Sequence, residues 1–256
     1  MSIWTSRANT AALLLTTLVT ACGGVGPLRN LRPEGPPPMR EIAVTSDRII
    51  VTGPQGFCVD PGSTEERADT AFVLLGNCAV ISDRRNEAQP EVQAVLTASV
   101  SEAGLDQTLR ESIPELDRFF ASEEGRQLLS RGGDPDSIEI LDSFFQGDVY
   151  YLHARDTSAG EIEDVSEVYW RSYLDVGPRI ATLTALETEA APGGTEHGLA
   201  TLQSFTNAVI AANAGTDQPP VAGLPRVAPA AQPAAAPQTS DGTLWNVGLF
   251  RRIMGR

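Results

Sequence analysis

Short runs of β-branched and apolar residues, each bounded by glycine, proline or aspartate, recur along the middle of the chain and predict β-strands. Seven such runs occur: Arg48–Thr52, Ala71–Leu75, Ala94–Val100, Ile138–Phe145, Val149–Arg155, Val168–Asp175 and Arg179–Leu186. The last four form two pairs around Gln146-Gly147-Asp148 and Val176-Gly177-Pro178, and such glycine-containing connections are typical of β-hairpins. Consecutive hairpins favour an antiparallel sheet.

Two other stretches carry apolar residues at helical spacing. In Leu105–Arg131, Pro114 predicts a kink or a division, Ser122 before two glutamates predicts an N-cap, and Gly132-Gly133 predicts the end of the helix. The second stretch ends at Asn213-Ala214-Gly215. It places five apolar side chains on one helix face: Leu199, Leu202, Phe205, Val209 and Ile210.

The predicted order is therefore β-β-β-α-β-β-β-β-α. It indicates an α+β fold in which an antiparallel sheet of about six or seven strands is packed by helices on its faces. This order, over residues 41–213, resembles the Mog1/PsbP-like α/β/α sandwich found in several bacterial lipoproteins. The same region is similar to uncharacterised envelope lipoproteins. A shared fold does not carry a function with it.

The segments on either side of residues 41–213 differ from it in composition. Residues 22–40 are rich in glycine and proline and predict a stiffened spacer. Residues 214–242 are rich in alanine and proline, with too few large apolar groups to fold, and predict a disordered linker. Residues 243–256 turn apolar again and form a separate tail.

The N-terminus has the three-part pattern of an export signal, which predicts that residues 1–21 are a signal peptide. Arg7 supplies a positive charge, Ala11–Val19 is a short apolar run, and Val19-Thr20-Ala21-Cys22 resembles the lipobox of bacterial lipoproteins. That resemblance implies cleavage before Cys22, a lipid thioether on its sulfur and acylation (palmitate) of its new amine. The same resemblance implies the outer membrane, with the domain facing the periplasm, because Gly23 stands where lipoproteins kept at the inner membrane have aspartate.

Two cysteines remain if Cys22 carries lipid. Cys58 and Cys78 each follow a predicted strand, and we expect those two strands to be neighbours in the sheet. In an oxidising compartment the pair favours a disulfide, which would stabilise the fold by roughly 3 kcal/mol. Two buried thiols or a metal site are the alternatives, although zinc needs about four ligands and no histidine is close in sequence.

The charge of the chain is strongly negative. Its formal net charge is −14, all 19 basic residues are arginine, and residues 41–213 hold 30 acidic residues against 11 arginines. Such a surface is repelled by nucleic acid and by anionic lipid. Two interpretations stay open, a self-repelling soluble surface and an acidic docking face.

The sequence contains no Gly-x-Ser-x-Gly, His-Glu-x-x-His, phosphate-loop or Cys-x-x-Cys motif, so no enzyme activity, cofactor or metal is predicted. His153 shares a strand face with Tyr151 and Arg155 and could line a groove, but a hydrogen-bonded surface or core histidine is favoured. His197 is explained by capping of the last helix. The acidic cluster lacks the ligand pattern of a calcium loop: Glu161, Glu163, Asp164 and Glu167.

The tail Thr243–Arg256 predicts a short amphipathic helix. Its candidate partner-binding residues combine an apolar stripe with adjoining positive charge: Trp245, Leu249, Phe250, Arg251, Arg252 and Ile253. The helix could pack back onto the domain, lie on a membrane, or enter a groove of an envelope protein. The leading hypothesis is thus a non-enzymatic, membrane-anchored interaction module. The alternatives are a small-molecule-binding lipoprotein that uses the concave sheet face, and an unrecognised enzyme.

Overall fold

The computed structural model describes residues 35–67, 69–103, 109–158, 165–188 and 195–215. The strands in these ranges are β1 (Glu41–Val44), β2 (Ile49–Thr52), β3 (Phe57–Val59), β4 (Glu65–Arg67), β5 (Thr70–Asn77), β6 (Ala94–Val100), β7 (Ile138–Gln146), β8 (Val149–Asp156), β9 (Val165–Val176) and β10 (Arg179–Thr188). The helices are α1 (Cys78–Ile81), α2 (Ile113–Phe120), α3 (Glu123–Leu129) and α4 (Thr195–Asn213). Single 3-10 turns occupy Leu109–Ser112 and Pro135–Ser137.

The main sheet is antiparallel throughout, in the order β3-β5-β6-β10-β9-β8-β7, and β4 pairs with the other end of β5 beside β3. β1 and β2 form a separate antiparallel hairpin. The predicted α+β class with a large antiparallel sheet is confirmed. Both predicted hairpins, β7–β8 and β9–β10, are present. Gly147 and Gly177 begin their turns with φ of 64° and 59°, a left-handed conformation that glycine adopts without strain.

Helices lie on both faces of the sheet. On the first, here called the α4 face, Leu202, Phe205 and Val209 of α4 join the core formed by the sheet and the β1–β2 hairpin. Asn213 fastens the end of α4 to β2, since its side chain accepts from the amide of Ile50 at 2.9 Å and donates to the carbonyl of Ile50 at 2.8 Å.

The second face, here called the α2–α3 face, has its own core. Leu116 and Phe120 of α2 and Leu129 of α3 pack there against tyrosines of β8 and β9. The ring of Phe120 lies 5.1 Å from that of Tyr173 and 5.9 Å from that of Tyr150, measured between centroids. These helices therefore cover the β7–β9 half of the face. On the β5–β6 half, Phe72, Leu74 and Thr97 are half-buried.

The division predicted within the helical stretch Leu105–Arg131 is present, but it does not fall at Pro114. Within its described part, α2 and α3 are separate helices, and Pro114 lies in the first turn of α2, where its missing N–H costs no helical hydrogen bond. The break falls at Ser122, whose hydroxyl caps α3 by accepting from the amide of Gly125 at 3.1 Å, as predicted. α3 ends before Gly132, at a serine in extended conformation.

The prediction that Cys58 and Cys78 follow two neighbouring strands of the sheet is wrong. The predicted strand Arg48–Thr52 is β2, which pairs with β1 in the separate hairpin and not with β5. Cys58 lies instead within β3, a strand that the sequence pattern did not predict, and β3 is the neighbour of β5. β1, β3 and β4 have only three or four residues each, too few to show a periodicity.

Candidate functional site

Several predicted site residues lie outside the described ranges and stay predictions. They are the lipidation residue and the partner-binding residues of the tail: Cys22, Trp245, Leu249, Phe250, Arg251, Arg252 and Ile253. Most of the acidic cluster also lies outside, namely Glu161, Glu163 and Asp164. The described residues contain no group of three or more histidine, cysteine or acidic residues that could hold a metal ion. No helix in the described part is long and apolar enough to cross a membrane.

Cys58 and Cys78 form a disulfide. Their Cα atoms are 4.8 Å apart, within the range usual for disulfides, and both residues are fully buried. Antiparallel pairing sets Cys58 opposite Gly76, and Cys78 begins α1 two residues later. Asn77 fixes that turn because its side chain accepts from the amide of Ala79 at 2.9 Å. The disulfide thus joins an edge strand to the turn that ends its neighbour.

His153 is a core residue on the α4 face. Its ring stacks on Trp170, with 4.2 Å between centroids and planes 3° apart, and only 6% of the residue is exposed. Burial lowers the pKa of His153, an effect that the nearby Asp142 partly opposes. The predicted trio does not form a polar groove, because Tyr151 is buried against Phe144. His197 is exposed in the first turn of α4.

Arg179 lies at the start of β10 in a polar cluster that the sequence analysis missed. Its side chain is fully buried and donates to Asp47 at 2.6 Å, to Asp69 at 2.7 Å and to the hydroxyl of Ser46 at 3.1 Å. It also donates to the backbone carbonyls of Ser101 and Asp69. The guanidinium lowers the pKa of Asp69 mainly through that hydrogen bond. This cluster links the β1–β2 hairpin to β10, so its role is structural.

Asp156 is the second buried polar centre. It is fully buried at the end of β8 and accepts from the backbone amide of Arg131 at 2.6 Å, from the Ser137 hydroxyl at 2.9 Å and from the Ser158 hydroxyl at 2.6 Å. Burial alone would raise its pKa, but these hydrogen bonds outweigh burial and lower the pKa. The cluster holds the end of α3 against the β7–β8 pair.

Arg171, in the middle of β9, is buried without such partners. It is 9% exposed on the α2–α3 face, and its Nε donates to the Thr184 hydroxyl at 3.1 Å. Its guanidinium carbon lies 5.1 Å from the ring centroid of Tyr169. Burial raises the pKa of Tyr173, and the positive charge of Arg171 partly opposes that rise. Nη1 is buried and has no hydrogen-bond partner in the described part of the chain, where no carboxylate pairs with this arginine.

A continuous row of side chains leads away from Arg171 across the sheet. Strand register aligns Arg171 with Thr184, Thr184 with Thr97, and Thr97 with Leu74, and we call these four residues the Arg171 row. Thr184 is buried, whereas Thr97 and Leu74 are half-buried. The row therefore runs from a buried guanidinium, past two hydroxyls, to an apolar side chain with partial access to solvent.

The sequence contained one signal for this site. In Tyr169-Trp170-Arg171-Ser172-Tyr173, strand alternation places the arginine on the same face as both tyrosines, among residues that the pattern predicts to be buried. A charged residue at such a position is rare unless it has a partner. The partner, or its absence, could be seen only in three dimensions.

Comparison of the chain with models of protein families, with curated proteins and with solved structures found no match.

Proposed function

We propose that the chain is a lipoprotein of the cell envelope, anchored through Cys22 at the outer membrane and facing the periplasm. Residues 41–213 would serve there as a non-enzymatic interaction or accessory module. The observation that carries the proposal is the buried Cys58–Cys78 disulfide, because such bonds form and persist in oxidising compartments. The lipobox-like Val19–Cys22 supplies the anchor in this proposal.

Two features of the charge distribution support an interaction role. The domain is strongly acidic, and an acidic surface steers a basic partner toward it. The tail Thr243–Arg256 has a basic and apolar composition and follows a linker rich in alanine and proline. A docking segment on such a linker meets its target at a high effective concentration. The tail would therefore be the docking segment for an envelope protein or a membrane surface.

Metabolic labelling with palmitate in intact bacterial cells tests the anchor. The wild-type chain should take up label, and Cys22→Ser should take up none and accumulate as precursor. Cys58→Ser is the matched control, because it removes a different cysteine and should leave labelling intact. Absence of label from the wild-type chain would refute the anchor.

Crosslinking in intact cells tests the tail. Deletion of residues 243–256 should abolish a specific crosslinked product and leave the melting temperature of the domain unchanged. A deletion of fourteen residues within the 214–242 linker is the control and should retain the product. A large fall in melting temperature after deletion of the tail would show that the tail packs on the domain, and the docking role would be abandoned.

A lipoprotein that binds a small molecule is the second candidate function. One specific observation favours it: Arg171 is a buried charged donor on a sheet face whose β5–β6 half carries the half-buried Leu74 and Thr97.

A further inference from the structure

We propose that the Arg171 row is a binding site for a small organic carboxylate with an apolar body. The inference develops the second candidate function by naming the site and the ligand class, and it does not depend on the lipid anchor. It rests on the chemistry of the buried guanidinium, on its strand-register neighbours and on the charge of the whole domain.

The first step concerns the unbalanced charge of Arg171. Arginine keeps its proton in proteins, so burial cannot neutralise it as burial can neutralise histidine. A buried charge costs several kcal/mol unless a partner compensates it (about 3–5 kcal/mol when a pair is broken). The described groups next to this guanidinium, which are the Thr184 hydroxyl, the face of Tyr169 and the Tyr173 hydroxyl, are neutral. The charge of Asp156 favours the charged form of Arg171, but Asp156 forms its ion pair with Arg131. An anionic ligand that accepts from Nη1 would complete the compensation.

The second step selects a carboxylate monoanion. The site offers one guanidinium, and the other side chains of the row are hydroxyls and leucine. A phosphate dianion would leave a surplus negative charge inside a domain that is already strongly acidic. A carboxylate balances the single positive charge, and its planar pair of oxygens matches the planar guanidinium donors.

The third step assigns the rest of the ligand. Beyond Thr184 the row reaches Thr97 and Leu74, which are half-buried. Phe72 on β5 and Val95 on β6 point to the same face and are also half-buried. Phe72 and Leu74 lie on β5, outside the α2–α3 core, whereas Val95 packs against that core. An apolar ligand body would cover them while its carboxylate reaches inward to Arg171.

Calorimetric titration of the full chain with octanoate tests the proposal. Octan-1-ol, which lacks the charge, and acetate, which lacks the apolar chain, are the comparison probes. We expect octanoate to bind more tightly than either. Arg171→Met should weaken octanoate binding at least tenfold, or 1.4 kcal/mol, and leave octan-1-ol binding unchanged. Leu74→Ala should weaken octanoate binding and not acetate binding.

Two further variants keep the test decisive. Arg155→Met removes an exposed arginine that pairs with Glu139 and should bind octanoate like wild type. Thr184→Asp places a carboxylate beside Nε of Arg171 and should abolish octanoate binding in a folded chain, even if Arg171→Met folds poorly. No octanoate binding by the wild-type chain, or acetate binding of equal strength, overturns the proposal. If octanoate binds Arg171→Met with wild-type affinity, the site is wrong although small-molecule binding as a function survives.

Discussion

Arg179 and Arg171 belong to adjacent strands of one hairpin, and both are buried, yet their surroundings differ. Arg179 bonds two aspartates, a serine and two carbonyls, and these partners come from segments far apart in the sequence. Arg171 bonds neutral groups and keeps a buried Nη1 without a partner in the described part of the chain. Within the described residues, Arg179 thus has two carboxylate partners, whereas Arg171 has none.

The contrast separates two uses of a buried charge. A guanidinium whose donors are filled by the protein holds its elements together, and its loss leaves carbonyls and carboxylates without their donor. A guanidinium that lacks a carboxylate contributes little net stability, because the cost of burying its charge is not repaid. A guanidinium of the second kind carries a cost of burial that the protein does not compensate. This cost is the physical reason to propose that it binds a ligand.

The largest expected effect comes from exchanging each arginine for a methionine of similar length. Arg179→Met should lower the free energy of unfolding by about 4 kcal/mol, since it breaks two ion pairs and leaves the buried carbonyl of Ser101 without a donor. Arg171→Met should change it by less than about 1 kcal/mol, since the relief of burying a charge offsets the lost contacts. Urea denaturation measures both values. Equal losses in the two variants would erase the distinction between them.

The Cys58–Cys78 disulfide allows the stabilisation by a covalent link to be compared with the stabilisation by the Arg179 cluster. Cys58 and Cys78 are 20 residues apart, and the double replacement Cys58→Ser/Cys78→Ser should cost roughly 3 kcal/mol through the freedom gained by the unfolded chain. Cys22→Ser is the control and should leave the domain's stability unchanged in the same denaturation experiment. If the double replacement lowers the free energy of unfolding clearly more than Arg179→Met does, the disulfide and not the ion cluster stabilises the fold more.

A carboxylate introduced beside Arg171 should give this arginine an ion-pair partner, as Arg179 has. Thr184→Asp should be more stable than its neutral counterpart Thr184→Asn by about 2 kcal/mol, because hydrogen bonds to charged groups contribute about 1.5–3 kcal/mol. The advantage should vanish when Arg171→Met is added, which a double-mutant cycle in urea measures. An advantage that persists without Arg171 would mean that the carboxylate acts elsewhere.

The smallest effect concerns His153, a buried base that, unlike arginine, can lose its proton. Its pKa in the folded chain is lowered from 6.5. As the pH falls through 6.5, the unfolded chain therefore binds a proton at this residue and the folded chain does not. Stability should therefore decline from pH 7 to pH 5, and His153→Phe, which keeps a flat ring on Trp170, should reduce that decline. The pKa values of Asp69 and Asp156 are lowered from 3.8, so their contribution is lost only in more acidic solution. Thermal melting at the two pH values checks this, and an identical decline in both proteins would contradict it.

Local patterns in the sequence determined the longer elements. β6 to β10 have seven or more residues each, so alternation and bounding turns sufficed to predict them, and glycines specified both hairpin turns. α4 was predicted from its apolar face and Ser122 from its capping chemistry. The pairing of Cys58 with Cys78 was also predictable, because only two cysteines remain once Cys22 is assigned to lipid. Except for the cysteine pairing, these features depend on neighbours close in sequence.

Tertiary structure alone decided the order of the sheet and the environment of its buried charges. β6 pairs with β10 although α2, α3 and β7 to β9 lie between them in the sequence, and no local pattern specifies that pairing. Arg179 meets Asp47 over 132 positions and Asp69 over 110, and either aspartate alone is typical of a solvated loop. Strand alternation places Arg171 on the same face as two tyrosines, but whether a carboxylate would meet it depended on the packing of distant strands. Arg179 thus links distant segments through ion pairs, whereas Arg171 keeps a donor without a partner in the described part of the chain. The difference arises because the partners of a buried side chain come from segments that are distant in the sequence.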